Sequence, residues 1–386
     1  MAPFFASGPW ARIKYGSLHF CQPAMSEHVL SRVANRTGII TLDRPKALNS
    51  LSLQMVRDLT DVLQAWRLDD AVDAVVLTSS SPKALCAGGD IRFFHDVGSK
   101  TPMGGSALLE DFFTEEYALN HLIHFYPKPY VALMDGVVMG GGMGIAQAGP
   151  DCRIRIVTEK TKMAMPEVNI GLFPDVGGSY FLARAPGQLG NYLGLTGLTI
   201  GAADALYVGL ADLFVPQEQM ATLAARIEST PGAELRAMIE AFAAPFADGA
   251  GESELAAQRA QIDHHFSAPT VAAIMQSLAS DVDSFARKAH AAMAQRSPLM
   301  MCVTRELLRR GAGQDVSHCL RMERTMVRHN FAHGEVLEGV RALVVDKDNA
   351  PQWNPPTLDE VSAEMIEGFF APVWPAQAHP LWHLQG

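Results

Sequence analysis

The 386-residue chain lacks the excess of base that would let it hold nucleic acid through phosphate contacts. Its 31 Lys plus Arg stand against 41 Asp plus Glu, a net charge of −10, which excludes a broad nucleic-acid surface but leaves room for a local basic pocket. Cysteine is scarce and scattered. Cys21, Cys86, Cys152, Cys302 and Cys319 form no CxxC pair, so neither a disulfide framework nor a zinc knuckle is indicated, and a reducing compartment is expected. No apolar run is long enough and plain enough to span a membrane. The nearest, residues 129–150, carries Asp135 and glycines at 136, 140, 141, 142, 144 and 149, which fits a buried strand, a turn and a buried helix.

Several motifs of catalysis are also missing. There is no HExxH, and His264-His265 has no carboxylate at metal spacing, so the pair is expected on a solvated face and no metal is expected. Gly140 to Gly142 completes neither GxGxxG nor a Walker A loop. Gly177-Gly178-Ser179-Tyr180-Phe181 lacks the last glycine of a nucleophile elbow, which speaks against a serine hydrolase. Residues 1–26 contain no acid, two bases (Arg12 and Lys14) and no apolar run that would make a secretory signal. They are expected as an N-terminal extension, from a start upstream of Met25 in a cytoplasmic protein; a mitochondrial presequence, and with it the matrix, is the alternative.

What is present is 48% hydrophobic residue content in an α/β alternation. Strands are expected at 38–42, 72–78, 130–134 and 153–157. Met55, Leu59, Val62, Leu63 and Trp66 share one helical face behind a cap at Ser50 or Ser52, and a further helix is expected at 110–125. Beyond Pro216 the pattern turns helical. The Ala- and Gly-rich residues 231–254 are expected as a lobe boundary or joint, dividing a catalytic core at 27–230 from a helical region at 231–386. The tail from Asp346, with its Phe and Trp residues, is expected as an ordered cap over the site.

Two glycine runs, Gly88-Gly89 and Gly140-Gly141-Gly142, each follow an expected strand. Glycine there lets a substrate approach the main chain, and two N–H groups facing one point form an oxyanion hole. Glu167 sits between Met165 and Ile170, in apolar surroundings that push a carboxyl pKa upward and suit it to act as base or nucleophile. Asp175, flanked by Phe173, Pro174 and Val176, is a second acid of this kind. Glu116 neighbours Glu110, Asp111 and Glu115, a pattern that by itself reads as a solvated helix face.

These residues resemble the crotonase, or enoyl-CoA hydratase/isomerase, superfamily. The resemblance rests on residues 39–51 (IITLDRPKALNSL), 84–92 (ALCAGGDIR), 128–144 (KPYVALMDGVVMGGGMG) and 165–178 (MPEVNIGLFPDVGG). EEY-x-LN at 115–120 and EGVRA-x3-DKD-x2-P-x-W at 338–353 narrow it to the branch that hydrolyses short 3-hydroxyacyl-CoA thioesters. The resemblance spans roughly residues 27–370. It implies a spiral of repeated β-β-α units with a mostly helical C-terminal region, a CoA thioester substrate and oxyanion donors at Gly89 and Gly141. In the family's hydratases a first glutamate would stand at Gly144, and its absence disfavours hydration. The second falls on Glu167; the hydrolase branch adds Asp175 and a substrate-contacting glutamate at Glu116. The expected reaction is hydrolysis of 3-hydroxyisobutyryl-CoA, a step of valine breakdown, by covalent attack or water activation at Glu167, with CoA as part of the substrate and no separate cofactor. A homo-oligomer is compatible with this. An enoyl-CoA hydratase or isomerase, and a non-catalytic acyl-CoA-binding paralogue, are the alternatives. Residues 149–152 run about three residues longer than the branch implies, next to the pocket wall.

Overall fold

The computed structural model describes residues 27–101 and 105–385, so Cys21 and the expectations for residues 1–26 lie outside the described residues. The strands in chain order are β1 (Val29–Ala34), β2 (Thr37–Leu42), β3 (Ala74–Ser79), β4 (Ala84–Cys86), β5 (Tyr130–Met134), β6 (Val137–Met139), β7 (Arg153–Val157), β8 (Lys162–Ala164) and β9 (Leu213–Phe214). One sheet runs β1-β2-β3-β5-β7-β9 and a smaller one β4-β6-β8. Among the pairings of these nine strands the β1–β2 hairpin alone is antiparallel; Met163 of β8 adds an isolated antiparallel bridge to Ile200. Successive strand pairs β3-β4, β5-β6 and β7-β8 each give one strand to the large sheet and the next to the small one, the β-β-α spiral expected.

Strand alternation decides which face each side chain covers. Val75 and Leu77 of β3 and Tyr130, Ala132 and Met134 of β5 enter the main core, while Ala74, Val76, Val131 and Leu133 point to the opposite face. That second face is covered by Leu223, Ile227, Leu235, Ile239 and Ala243. Residues 231–254, expected as a joint, are therefore helix (Leu235–Ala243) and 3-10 turns seated on the sheet. Two of the segment's glycines sit where a Cβ would collide: one on Gly249 would lie 2.8 Å from the Phe214 ring and one on Gly232 2.6 Å from Arg36 O.

Ser52 caps α1 (Leu53–Arg67), its hydroxyl accepting from Met55 N at 3.2 Å. β1 was not expected. Its hairpin turns through Asn35 and Arg36, both left-handed, without the Asn-Gly signal that marks such turns. Residues 129–150 hold β5, β6 and a short helix, and among the described residues no helix is long and apolar enough to cross a membrane. Cys86, Cys152, Cys302 and Cys319 are free thiols. His264 is solvated as expected but His265 is buried, bonded to Ser277 Oγ at 2.7 Å and 3.3 Å from Asp281; a polar partner across the helix pair offsets its burial. Among the described residues no cluster of three metal-ligating side chains occurs.

Because Ile239 is fully buried under the sheet, Ile239→Ala should cost about 2–5 kcal/mol of stability. Urea unfolding monitored by far-UV dichroism checks this; an unchanged midpoint would mean that the segment contributes nothing to the core.

Candidate active site

Gly89, Gly141, Glu116, Glu167 and Asp175 line one cavity of about 350 Å³, together with apolar Phe94, Phe113, Leu172 and Val176. Its back is made by the two glycine runs. Gly88 follows β4 at φ +103° and Gly140 follows β6 at φ +50°, left-handed turns that glycine makes without strain. They bring the following residues face to face: a Cβ on Gly141 would lie 3.3 Å from Gly89 N and one on Gly88 3.5 Å from Gly141 N. Leu51 pairs across Gly89 through Gly88 O and Asp90 N, so that ladder leaves the Gly89 N–H unspent. Gly141 opens the short helix Gly141–Ala146 with a first-turn N–H that has no intrahelical acceptor.

Two glutamates close on this floor. A Cβ at Gly140 would stand 2.6 Å from Glu167 Oε1, and one at Gly141 2.5 Å from Glu116 Oε1. A side chain at either position would displace a glutamate carboxyl, and at Gly140 it would also strain the backbone, whose φ is +50°. Glu116 Oε1 and Glu167 Oε2 are buried without a hydrogen-bond partner. Glu116 is thus not on a solvated face: the helix Ala107–His124 turns Glu115 outward to Arg57, at 2.7 Å, and Glu116 inward. Asp175 accepts from the Tyr117 hydroxyl at 2.5 Å.

Burial and mutual repulsion set the protonation of this trio. Desolvation, then the charges of Asp175, Glu116 and Glu323, raises Glu167 well above the usual carboxylate range, and desolvation with Asp175 does the same to Glu116. Asp175 is pushed up to about 6 by burial while the Tyr117 hydroxyl pulls against it. Among the described residues no cation lies within salt-bridge distance of the three.

Tyr117 and Glu323 were not singled out from sequence. Glu323, on the helix Val316–His333, accepts from Gly177 N at 2.8 Å, Ser179 N at 2.9 Å and Ser179 Oγ at 2.5 Å, and so clamps the turn after Asp175. Burial pushes this glutamate up to about 8. Asn330 on the same helix donates to Gly171 O at 2.9 Å, and a Cβ on Gly339 would strike the Ile170 backbone at 2.3 Å. The late motif forms a π-helical turn, Arg341–Val345, whose Leu343 and Val344 line the cavity mouth. Arg341 is consumed by Glu338, Asp346 and Asp348 at 2.7–2.8 Å, which stiffens that turn. In the tail, Trp353 donates to Gln295 O at 3.3 Å and packs on Gly171.

A sequence model of the enoyl-CoA hydratase/isomerase family matches residues 37–370. The chain is 37% identical over 357 residues to the mitochondrial 3-hydroxyisobutyryl-CoA hydrolase of Danio rerio, covering 92% of each protein. It is 39% identical over 348 residues to that of Xenopus tropicalis, covering 87% of each. Among solved structures it superposes on a carnitinyl-CoA dehydratase from Mycobacterium thermoresistibile with a TM-score of 0.82 and 40% identity, over 91% of this chain and 98% of that one. By sequence along most of its length and by its spiral fold, the chain belongs to the enoyl-CoA hydratase/isomerase family.

Proposed function

We infer that the protein is an acyl-CoA thioester hydrolase that cleaves 3-hydroxyisobutyryl-CoA to 3-hydroxyisobutyrate and CoA. One observation carries this: Glu167, with an unpartnered carboxylate oxygen, lies against the glycine floor at Gly140 and shares the cavity with an Asp175 anchored by Tyr117. The names of the Danio and Xenopus relatives support the substrate. No separate cofactor enters the scheme. Free thiols at Cys86, Cys152, Cys302 and Cys319 fit a reducing compartment, the cytoplasm or, as the relatives' names favour, the mitochondrial matrix.

The thioester carbonyl oxygen accepts from Gly89 and Gly141 N–H, which hold the charge that develops on attack; losing one such donor typically costs about 3–4 kcal/mol of transition-state stabilisation. Glu167, the more basic of the two acids, passes its proton to Asp175 and as the carboxylate attacks the carbonyl carbon; the C–S bond breaks, the thiolate leaves as the thiol with that proton, and Asp175 recovers a proton from the water that follows. Water then opens the mixed anhydride. In the variant of this scheme, Glu167 removes a proton from water, which attacks directly. Glu116 accepts a hydrogen bond from the substrate's 3-hydroxyl. A hydratase-type reaction is the second reading, supported by the resemblance to the dehydratase structure and by Glu116 as another cavity carboxyl, though Gly144 supplies none.

Purified protein should release thiol from 3-hydroxyisobutyryl-CoA and leave crotonyl-CoA absorbance unchanged. Enoyl loss without thiol release would establish the hydratase instead, and an intact thioester retained on the protein would make it an acyl-CoA-binding protein.

Glu167→Gln should lower turnover at least about a thousandfold with the fold intact. It should also stabilise the protein. The folded-state pKa of Glu167 lies above its unfolded value, so its contribution is complete below about pH 4.5 and falls as pH rises through the folded pKa. The melting temperature of the variant should therefore exceed that of the wild type by more at pH 8 than at pH 5; a constant difference would show that Glu167 is not held protonated. Where water opens the anhydride at the Glu167 carbonyl, repeated turnover in heavy-oxygen water leaves label in the Glu167 peptide, which mass spectrometry reads. An unlabelled peptide that also forms no hydroxamate at Glu167 when turnover is run with hydroxylamine would leave only water activation.

A further inference from the structure

Beyond Val176 lies a second cavity, of about 340 Å³, outside the catalytic one. Val176 lines both. Its backbone is left-handed at φ +52°, a conformation a β-branched residue adopts only when its surroundings impose it. Tyr117 grips Asp175 on one side and Glu323 grips Gly177 on the other, so the partition is held at both ends.

The second cavity has the opposite charge to the first. Arg153, Arg155 and Arg184 line it, and among the described residues their one salt-bridge partner is Asp212, 3.3 Å from Arg153 and 2.8 Å from Arg155. Arg184 bonds to the carbonyls of Tyr180 and Gln314, at 3.0 and 2.6 Å, and stacks on the Tyr180 ring, with no acid in salt-bridge reach. His124 adds no charge at neutral pH: burial, reinforced by repulsion from His121, Arg184 and Arg153, pulls it down to about 4, and Asp151 only partly opposes this. Gly144 brings no carboxylate into the space.

Asn120 is the second, independent observation. It lines this cavity, one helical turn beyond Glu116, is 4% exposed, and neither its Oδ1 nor its Nδ2 has a hydrogen-bond partner. A buried amide with both groups unmade is destabilising until something pairs them. Such an amide is complementary to a ligand that offers both a donor and an acceptor. Arg184, a guanidinium with no acid in salt-bridge reach, is complementary to a carboxylate, and Arg153 shares its one acid with Arg155.

We propose that this cavity binds a small hydroxycarboxylate, with Arg184 and Arg153 facing the carboxylate and Asn120 the hydroxyl and one carboxylate oxygen. That is the chemical class of acid released in the catalytic cavity next door; the choice of 3-hydroxyisobutyrate as probe rests on the hydrolase reading, whereas the cavity's charge and its unpartnered amide do not. Among the described residues Arg92 is the one arginine on the wall of the catalytic cavity and donates to Val344 O at 3.1 Å, whereas three arginines line the cavity behind Val176.

The test is a ligand-observed NMR titration of the full chain with 3-hydroxyisobutyrate, isobutyrate and inorganic phosphate. It is made with the catalytic cavity filled by a non-hydrolysable CoA thioether of the substrate. 3-Hydroxyisobutyrate should still bind, more tightly than isobutyrate or phosphate, and Arg184→Gln should weaken it about tenfold while leaving thiol release unchanged. Asn120→Leu should remove the preference for the hydroxy acid; should that variant fail to fold, Arg184→Gln decides alone. Binding abolished by the thioether, or untouched by Arg184→Gln, or equal for phosphate, would overturn the proposal. Thiol release measured on the same samples separates the two ideas. Binding without hydrolysis sinks the hydrolase and spares the cavity, and hydrolysis without binding sinks the cavity alone.

Discussion

Three carboxyl groups occupy one buried cavity with no cation close enough to neutralise them, and much of the molecule is organised to hold them there. Burial raises the proton affinity of all three; the charge of Asp175 raises that of both glutamates, and Glu116 that of Glu167. The bare glycines leave the two glutamates the room they occupy, since a Cβ on Gly140 or Gly141 would lie 2.6 or 2.5 Å from their oxygens, and Asp175 is tied to Tyr117. Stability given up at a site of this kind is the common counterpart of reactivity.

The restraint comes from the C-terminal helices rather than from the spiral itself. Glu323, Asn330 and Gly339 contact the segment carrying Glu167 and Asp175 at three separate places, and a strained Val176 remains between two of those anchors. The π-helical turn at the mouth follows the same logic. π-Turns are rare and cluster at functional sites, and here Arg341 and three carboxylates keep Leu343 and Val344 over the opening. The late motif is thus a mechanical part of the site; its arginine is fully engaged and takes no part in holding substrate charge.

Charge is segregated across one residue. On the catalytic side of Val176 lie four acids and one arginine, Arg92; on the far side lie Arg153, Arg155 and Arg184. The chain's net charge of −10 conceals this, since composition averages over distances far greater than those at which charges act unscreened.

Much that was local was legible in the sequence, the β1–β2 hairpin excepted. Short β-rich runs marked β5 and β7 to the residue, the helical spacing of Met55 to Trp66 marked α1, and glycine runs behind short strands marked the turns that expose Gly89 and Gly141. What it misjudged required knowing which surface each side chain would meet. Glu116 and Glu115 are adjacent acids on one helix, and only the packing of Ala107–His124 against the glycine floor sends one inward and the other to Arg57. Residues 231–254 read as a joint because alanine and glycine carry no address; the exposed face of the sheet supplies one. Glu323 lies 148 positions from Asp175, and no local pattern couples residues that far apart. Sequence by itself determined the elements and the chemical groups, because backbone sterics and hydrophobic period act over a few residues. Tertiary structure alone decided which carboxyls share a cavity, which helix holds them and where the opposite charge collects, because desolvation and electrostatic coupling depend on distances that exist only after the chain has closed on itself.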